Sequence, residues 1–208
     1  MTDIVRQDAP FPAWCEVKSF SQIDLAAGAE ASFAVRGPRG RLLATAGSFQ
    51  VRQGDRSQVL REGQFIELEA GAGSIGRAGG PAQAVLFDGG WGTELGGCGV
   101  FRAENVSSPS DRGDPVTYPK RTNIDAHFHD CDEYWVLLEG GAEVVLDGAH
   151  ANMRPGDCFL IPMGAMHDMP DASEPVKAVY FETTLRGQKR TGHLWQHTHG
   201  PARKEQRS

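Results

Sequence analysis

No CxxC pair occurs in this chain: its four cysteines, Cys15, Cys98, Cys131 and Cys158, are scattered. A length of 208 residues buries enough surface to stand without a disulfide framework, so the cysteines are read as reduced thiols. Long apolar runs are missing too. No segment approaches the roughly 20 apolar residues that cross a bilayer. The opening MTDIVRQDAPFPAW has no signal-peptide core. A soluble cytoplasmic protein with no membrane partner is therefore expected. Positive charge is scarce, with 21 Lys and Arg against 27 Asp and Glu and a net charge of -6. Outside the tail there is no dense basic stretch with interleaved aromatics, and no helix-turn-helix segment is found. Nucleic acid is accordingly not an expected partner.

Stretches with apolar positions at helical spacing are also hard to find, whereas glycine is plentiful at 26 residues. Apolar residues instead come in short pulses: 31–35, 41–46, 48–52, 64–69, 83–88, 134–140, 142–148, 157–162 and 177–184. Asp147-Gly148, Pro155-Gly156 and Gly54-Asp55 punctuate them as turns. That texture predicts an all-β protein of antiparallel strands. Segment 103–120 has no periodicity and is rich in Ser, Pro and Asp, which reads as a surface linker.

Sliding the second half onto the first reveals an internal repeat. At an offset of 93 residues Gly140 falls on Gly47, Gly156 on Gly63 and Gly164 on Gly71. One further residue of slip brings 178–182 (AVYFE) onto 84–88 (AVLFD). Two copies of one small β unit follow, at 1–105 and 106–200, with a basic tail at 201–208.

The second copy carries the polar constellation. His127 and His129 are two apart, so in a strand both imidazoles point to one side. Glu133 follows four residues later, and His167 lies beyond the turn formed by Pro162 and Gly164. Three imidazoles and one carboxylate make a mixed nitrogen and oxygen site suited to a borderline divalent metal. The remaining histidines, His150, His193, His197 and His199, have no such frame, and His150 reads as a solvated hairpin residue.

These residues resemble the cupin superfamily. Its first motif, HxH, three or four residues, glutamate, six residues, glycine, is met from His127 through Glu133 to Gly140, although the glycine that opens the motif is replaced by Arg121. The second motif is met at Gly156, Pro162, Gly164 and His167, with Asp171 where asparagine is often found. The resemblance implies two tandem cupin barrels of the double-stranded β-helix, or jelly-roll, type. It also implies a metal ligand set of His127, His129, Glu133 and His167 for one divalent transition metal, whether Mn, Fe, Ni, Co or Zn. The offset of 93 puts Ala34, Arg36, Gly40 and Ser74 at those positions in the first copy, which reads as a degenerate cupin without metal ligands. A homodimer, paired through sheet edges, is the expected assembly.

Four protein ligands around an ion that prefers six leave two positions for a chelating hydroxy-carbonyl, enediol or hydroxy acid. The leading expectation is a metal-dependent enzyme acting on a small oxygen-rich metabolite by isomerisation, epimerisation or elimination. An Fe(II) dioxygenase and a non-catalytic small-molecule-binding or regulatory cupin are the alternatives. Asp125, Asp130, Asp132 and Asp168 are candidates to orient the imidazoles or plain turn residues. Glu182 is a candidate base if its strand face points inward, and Tyr134 and Trp135 should face opposite ways. Cys131 and Cys158 read as small buried groups or pocket-wall thiols. From Leu185 onward six Lys and Arg face Glu205 alone, a segment charge of +5 that leaves -11 for the rest. This segment reads as a solvated extension that docks on acidic surface or frays, with Leu194 and Trp195 of its GHLW run able to tuck against a barrel, or as a source of Arg186, Lys189 and Arg190 at the site mouth for an anionic substrate.

Overall fold

A computed structural model describes residues 4–7, 9–76, 79–110 and 112–204; Glu205 and Arg207 of the basic tail lie outside them. The strands are β1 (Ile4–Arg6), β2 (Val17–Leu25), β3 (Ala31–Ala46), β4 (Ser48–Gln53), β5 (Arg56–Arg61), β6 (Phe65–Gly76), β7 (Ala82–Gly89), β8 (Cys98–Ala103), β9 (Glu133–Leu146), β10 (Ala149–Met153), β11 (Asp157–Ile161) and β12 (His167–Glu182). One helical turn, α1 (Gln196–His199), completes the elements. The chain divides into two compact units, Gln7–Trp91 and a second made of Met1–Arg6 with Gly92–Ser208. β8, inside the stretch 1–105, thus pairs with β12 of the second unit.

The all-β expectation holds, but the expected barrels do not form. The first unit is an open six-stranded sheet ordered β2-β7-β3-β6-β4-β5, and the second is ordered β1-β11-β9-β12-β8 with β10 on β9. Each ladder ends on edge strands, and among the described residues no hydrogen-bonded seam joins its ends. The nine apolar pulses fall on seven of the twelve described strands, two each on β3 and β9, whereas closure depends on whether the two outermost strands meet, which no local pattern encodes. Long strands make this economical. β9 pairs β11 and the end of β12 through its first half, and β10 and the start of β12 through its second. Register shifts between Asp168 and Ala178 break the β12 ladder along its length.

Central strands are apolar almost continuously because their neighbours leave no solvent face. Tyr134 to Leu137 and all of β11 are buried, as are Leu42 to Ala44 in β3. One core gathers Phe33, Leu42, Phe49, Leu60, Ile75 and Leu86 in the first unit. Another gathers Trp135, Leu137, Val144, Phe159, Ile161 and Met169 in the second. The turns are the predicted ones. Asp147 (φ 48) and Gly148 (φ 81) form the two-residue hairpin between β9 and β10, both left-handed as a type I′ turn requires.

Candidate metal centre

The HxH segment lies between two short bridges. His127 exchanges both backbone hydrogen bonds with His167, at 3.1 and 2.8 Å, and Phe128 does the same with Leu194, at 2.9 and 3.0 Å. Alternation then buries the Phe128 ring while the two imidazoles on either side share the other face. Glu133 opens β9 and His167 opens β12, each at the point where an irregular segment enters the sheet. Between Pro162 and His167 the chain turns back tightly: Gly164 (φ 75) donates its amide to the His129 carbonyl at 2.9 Å, and Asp132 accepts the Met163 amide at 2.8 Å. The turn that carries His167 is therefore bonded directly to the segment that carries His129.

His127, His129, Glu133 and His167 meet with ligating atoms all within 4.8 Å of one another, and none of the four residues is more than 3% exposed. The His127 and His129 Nε2 atoms are 3.0 Å apart; Glu133 Oε2 lies 3.2 Å from His129 Nε2 and 3.0 Å from His167 Nε2. The other ring nitrogens settle the tautomers. Each Nδ1 faces a backbone carbonyl, His127 that of Asp125 (2.7 Å), His129 that of Gly192 (3.0 Å) and His167 that of Ala165 (3.0 Å). A carbonyl only accepts, so each Nδ1 carries a proton and Nε2 is the nitrogen that each ring turns to the centre, the one whose lone pair a cation would take. His167 Nε2 and Glu133 Oε2 are left without a well-directed hydrogen bond. Three lone pairs and a carboxylate in one dry spot call for a cation. The donor set fits one divalent ion.

Electrostatics act differently on the individual rings. Burial, reinforced by His167 and His129, holds the His127 imidazole well below its usual range, so it stays neutral. Burial acts in the same direction on His129, but the Glu133 carboxylate outweighs it and raises that imidazole. Burial would raise Glu133, yet the His129 and His167 rings hold its carboxyl well below the ordinary value.

None of the four flanking aspartate side chains orients a ligand ring. Asp125 uses its main-chain oxygen for His127, Asp130 pairs with Arg190 (3.1 Å), Asp132 holds the Met163 turn, and Asp168 pairs with Lys120 (3.0 Å) and Tyr118 (2.9 Å). The segment expected to cross the surface, 103–120, has no strand or helix beyond Ala103 among the described residues and is exposed or half-buried, and its end is held to β12 by these Tyr118 and Lys120 contacts. Trp135 faces the site, its ring 5.4 Å from His167, while Tyr134 is buried on the opposite face. Cys131 is buried within reach of His129 and Glu182, and Cys158 lies in β11. None of the four cysteines is in a disulfide.

The chain beyond Leu185, expected as a solvated extension, contributes to the site. Gly192 anchors His129, Leu194 is buried, and His193 stacks on His127 with centroids 3.8 Å apart. Of this role the sequence offered one trace, the Leu194-Trp195 pair in a polar run. His197 does not join a metal cluster among the described residues and is held by Asp114 at 2.6 Å. His150 pairs with Glu143 on its hairpin at 2.7 Å.

Beside the cluster lies a cavity of about 540 Å³, walled by Leu95, Phe101, Ile124, Trp135 and Tyr180, with Glu182 and two of the clustered residues, His127 and Glu133, on its polar side. Thr191, Gly192 and His193 rim it and are exposed, so it opens to solvent. Glu182 stands directly opposite Glu133 in the ladder, and its carboxylate accepts the Gly97 amide at 2.7 Å. Arg186, Lys189 and Arg190 do not line this cavity. They surround a different one with Asp130 and Arg203, so the expected cationic mouth is not built here.

The family model for the cupin domain matches residues 116–182, a span that contains all four convergent side chains. The chain carries a cupin domain. A relative of nearly the same length, the uncharacterized protein y4oW of Sinorhizobium fredii, is 48% identical over 204 residues, covering 97% of this cupin and 94% of that protein. Among solved structures, Bacillus subtilis oxalate decarboxylase matches at TM-score 0.53 and 13% identity, over 84% of this chain and 71% of that one. AerE from Microcystis aeruginosa matches at 0.53 and 11%, over 79% and 87%, and hazelnut (Corylus avellana) vicilin at 0.55 and 10%, over 81% and 75%. At these identities the likeness is one of fold. No helix among the described residues is long and apolar enough to cross a membrane.

Proposed function

We propose that this cupin is a metal-dependent enzyme, that His127, His129, Glu133 and His167 bind one divalent transition ion, and that its substrate is a small oxygen-rich metabolite. The reading rests on the three Nε2 lone pairs and the Glu133 carboxylate aimed at one buried point beside a solvent-open cavity. An ion held there supplies polarisation of a chelating oxygen and stabilisation of the negative charge that forms on deprotonation or bond cleavage. The chain's own groups do the rest. The carbonyls of Asp125, Ala165 and Gly192 keep the imidazoles in the ligating tautomer. Trp135, Phe101 and Tyr180 exclude water from one side of the cavity.

Glu182 favours non-oxidative chemistry, namely isomerisation, epimerisation or elimination. A carboxylate in the cavity has a use in accepting a substrate proton and none in delivering dioxygen. The test is turnover of a panel of sugars, hydroxy acids and aromatic substrates by metal-loaded protein with and without dioxygen. Equal turnover in both atmospheres, lost in Glu182→Gln and in His167→Ala, is expected. Turnover only in air would replace this reading with a dioxygenase. Ligand binding without any turnover would leave a binding module.

A further inference from the structure

We infer that the guest of this site is a 2-oxo or 2-hydroxy acid with an apolar, preferably aromatic body, and not a phosphorylated metabolite. The inference rests on the proposed metal site and adds the identity of the part of the ligand that the metal does not hold. The argument starts from the wall that leads away from the cluster. The Trp135 ring meets His167 at 5.4 Å and Phe101 at 5.4 Å, and Phe101 meets Tyr180 at 6.4 Å, the first two edge-on. Any body extending from oxygens chelated at the cluster along this side runs over a continuous aromatic surface, which Ile124 extends. Such surface rewards apolar contact and offers no partner for a dianion.

Charge acts in the same direction. The cavity holds two carboxylates, Glu133 and Glu182, which face one another across the β9–β12 ladder. Glu182 is only 7% exposed, so solvent screens it poorly. One carboxylate of a ligand is offset by the ion itself; a phosphate elsewhere on it would add a second anion to a cavity that already holds Glu182 beside the cluster, and no Lys or Arg lines that cavity among the described residues. The tail's cations surround a separate cavity.

Three probes with the same chelating head isolate the claim: pyruvate, phenylpyruvate and 3-phosphohydroxypyruvate, titrated into protein loaded with Co(II) and followed by its visible absorption and by calorimetry. Phenylpyruvate should bind about tenfold or more tighter than pyruvate, because the ring buries apolar surface that the methyl group does not. 3-Phosphohydroxypyruvate should bind more weakly than pyruvate. Phe101→Ala should reduce the phenyl advantage, read as the ratio of phenylpyruvate to pyruvate affinity in the same variant, to about threefold or less while the protein still holds one cobalt ion per chain. Should Phe101→Ala lose cobalt, Tyr180→Leu provides the same test at the other end of the wall. Equal binding of pyruvate and phenylpyruvate, tightest binding of the phosphorylated acid, or a phenyl advantage that survives in the variant would each overturn the inference. Failure of all three probes to bind protein that holds one cobalt ion per chain would refute the chelation reading itself.

Discussion

Leu194→Ala tests whether the tail is part of the metal centre. Leu194 is 2% exposed, and its backbone makes two hydrogen bonds to Phe128, between the two HxH imidazoles. Two residues earlier, the Gly192 carbonyl accepts the His129 Nδ1 proton. Truncating a buried leucine costs about 2–5 kcal/mol, and the lower half of that range applies because a tail beside open solvent can collapse onto the space. For a chain of this length each kcal/mol moves the melting temperature by about 2–4 °C, so the metal-free variant should melt roughly 5–10 °C below wild type. Loosening Gly192 also frees the His129 ring, and loss of such an orienting partner lowers metal affinity by about 10–100-fold. The assays are thermal denaturation without metal and a metal titration at neutral pH. Thr198→Ala, exposed on α1, is the control and should leave both values within error. A Leu194→Ala protein that melts with wild type and binds metal equally well would refute the docking of the tail onto the site.

Other outcomes follow from the same geometry. At a metal concentration about a hundredfold above its dissociation constant, wild type should gain about 2.7 kcal/mol, or roughly 5–10 °C; under the same conditions Glu133→Gln should lose most of the shift in a thermal melt. Asp114 accepts the Gln196 and His197 amides at 2.8 and 3.0 Å, and these bonds with the His197 ring hold its carboxyl below 3.8 although burial opposes them. Because that carboxyl is depressed on folding, its stabilisation is present above the unfolded value and lost as pH falls. Wild type should therefore exceed Asp114→Asn by about 1 kcal/mol at pH 7 in urea unfolding, with the difference fading below about 3.8. Burial pushes the Cys131 thiol up, and Cys15 and Cys158 are buried too. A thiol reagent at pH 8 should label only half-buried Cys98 quickly in native protein and all four thiols after denaturation. Rapid native labelling of Cys131 would contradict its placement.

Features carried by local chemistry were legible in the sequence. Asp147-Gly148 announced its hairpin, and the glycines matched at the 93-residue offset, Gly47 with Gly140, Gly63 with Gly156 and Gly71 with Gly164, all adopt positive φ. The HxH spacing placed two imidazoles on one face, and the Pro162 to His167 spacing brought the third to them. Features set by distant partners were not legible. β12 contains Pro170, Pro175 and several acids, and its strand character comes from pairing with β9. Barrel closure was expected where the strands form open sheets, because edge-to-edge meeting leaves no mark on either edge. The groups that orient the imidazoles are main-chain carbonyls, which have no residue identity to read, so the nearby aspartates drew attention instead. His193 looked isolated because its stacking partner, His127, lies far back in the chain.

Elemental analysis of protein purified without added metal most directly tests the central claim that four side chains form one cation site. One divalent ion per chain is predicted, falling to background in both His127→Ala and His167→Ala while the circular dichroism of the β-sheets is retained. A folded wild-type protein that takes up no divalent ion even when one is supplied, or variants that keep a full equivalent, would contradict it.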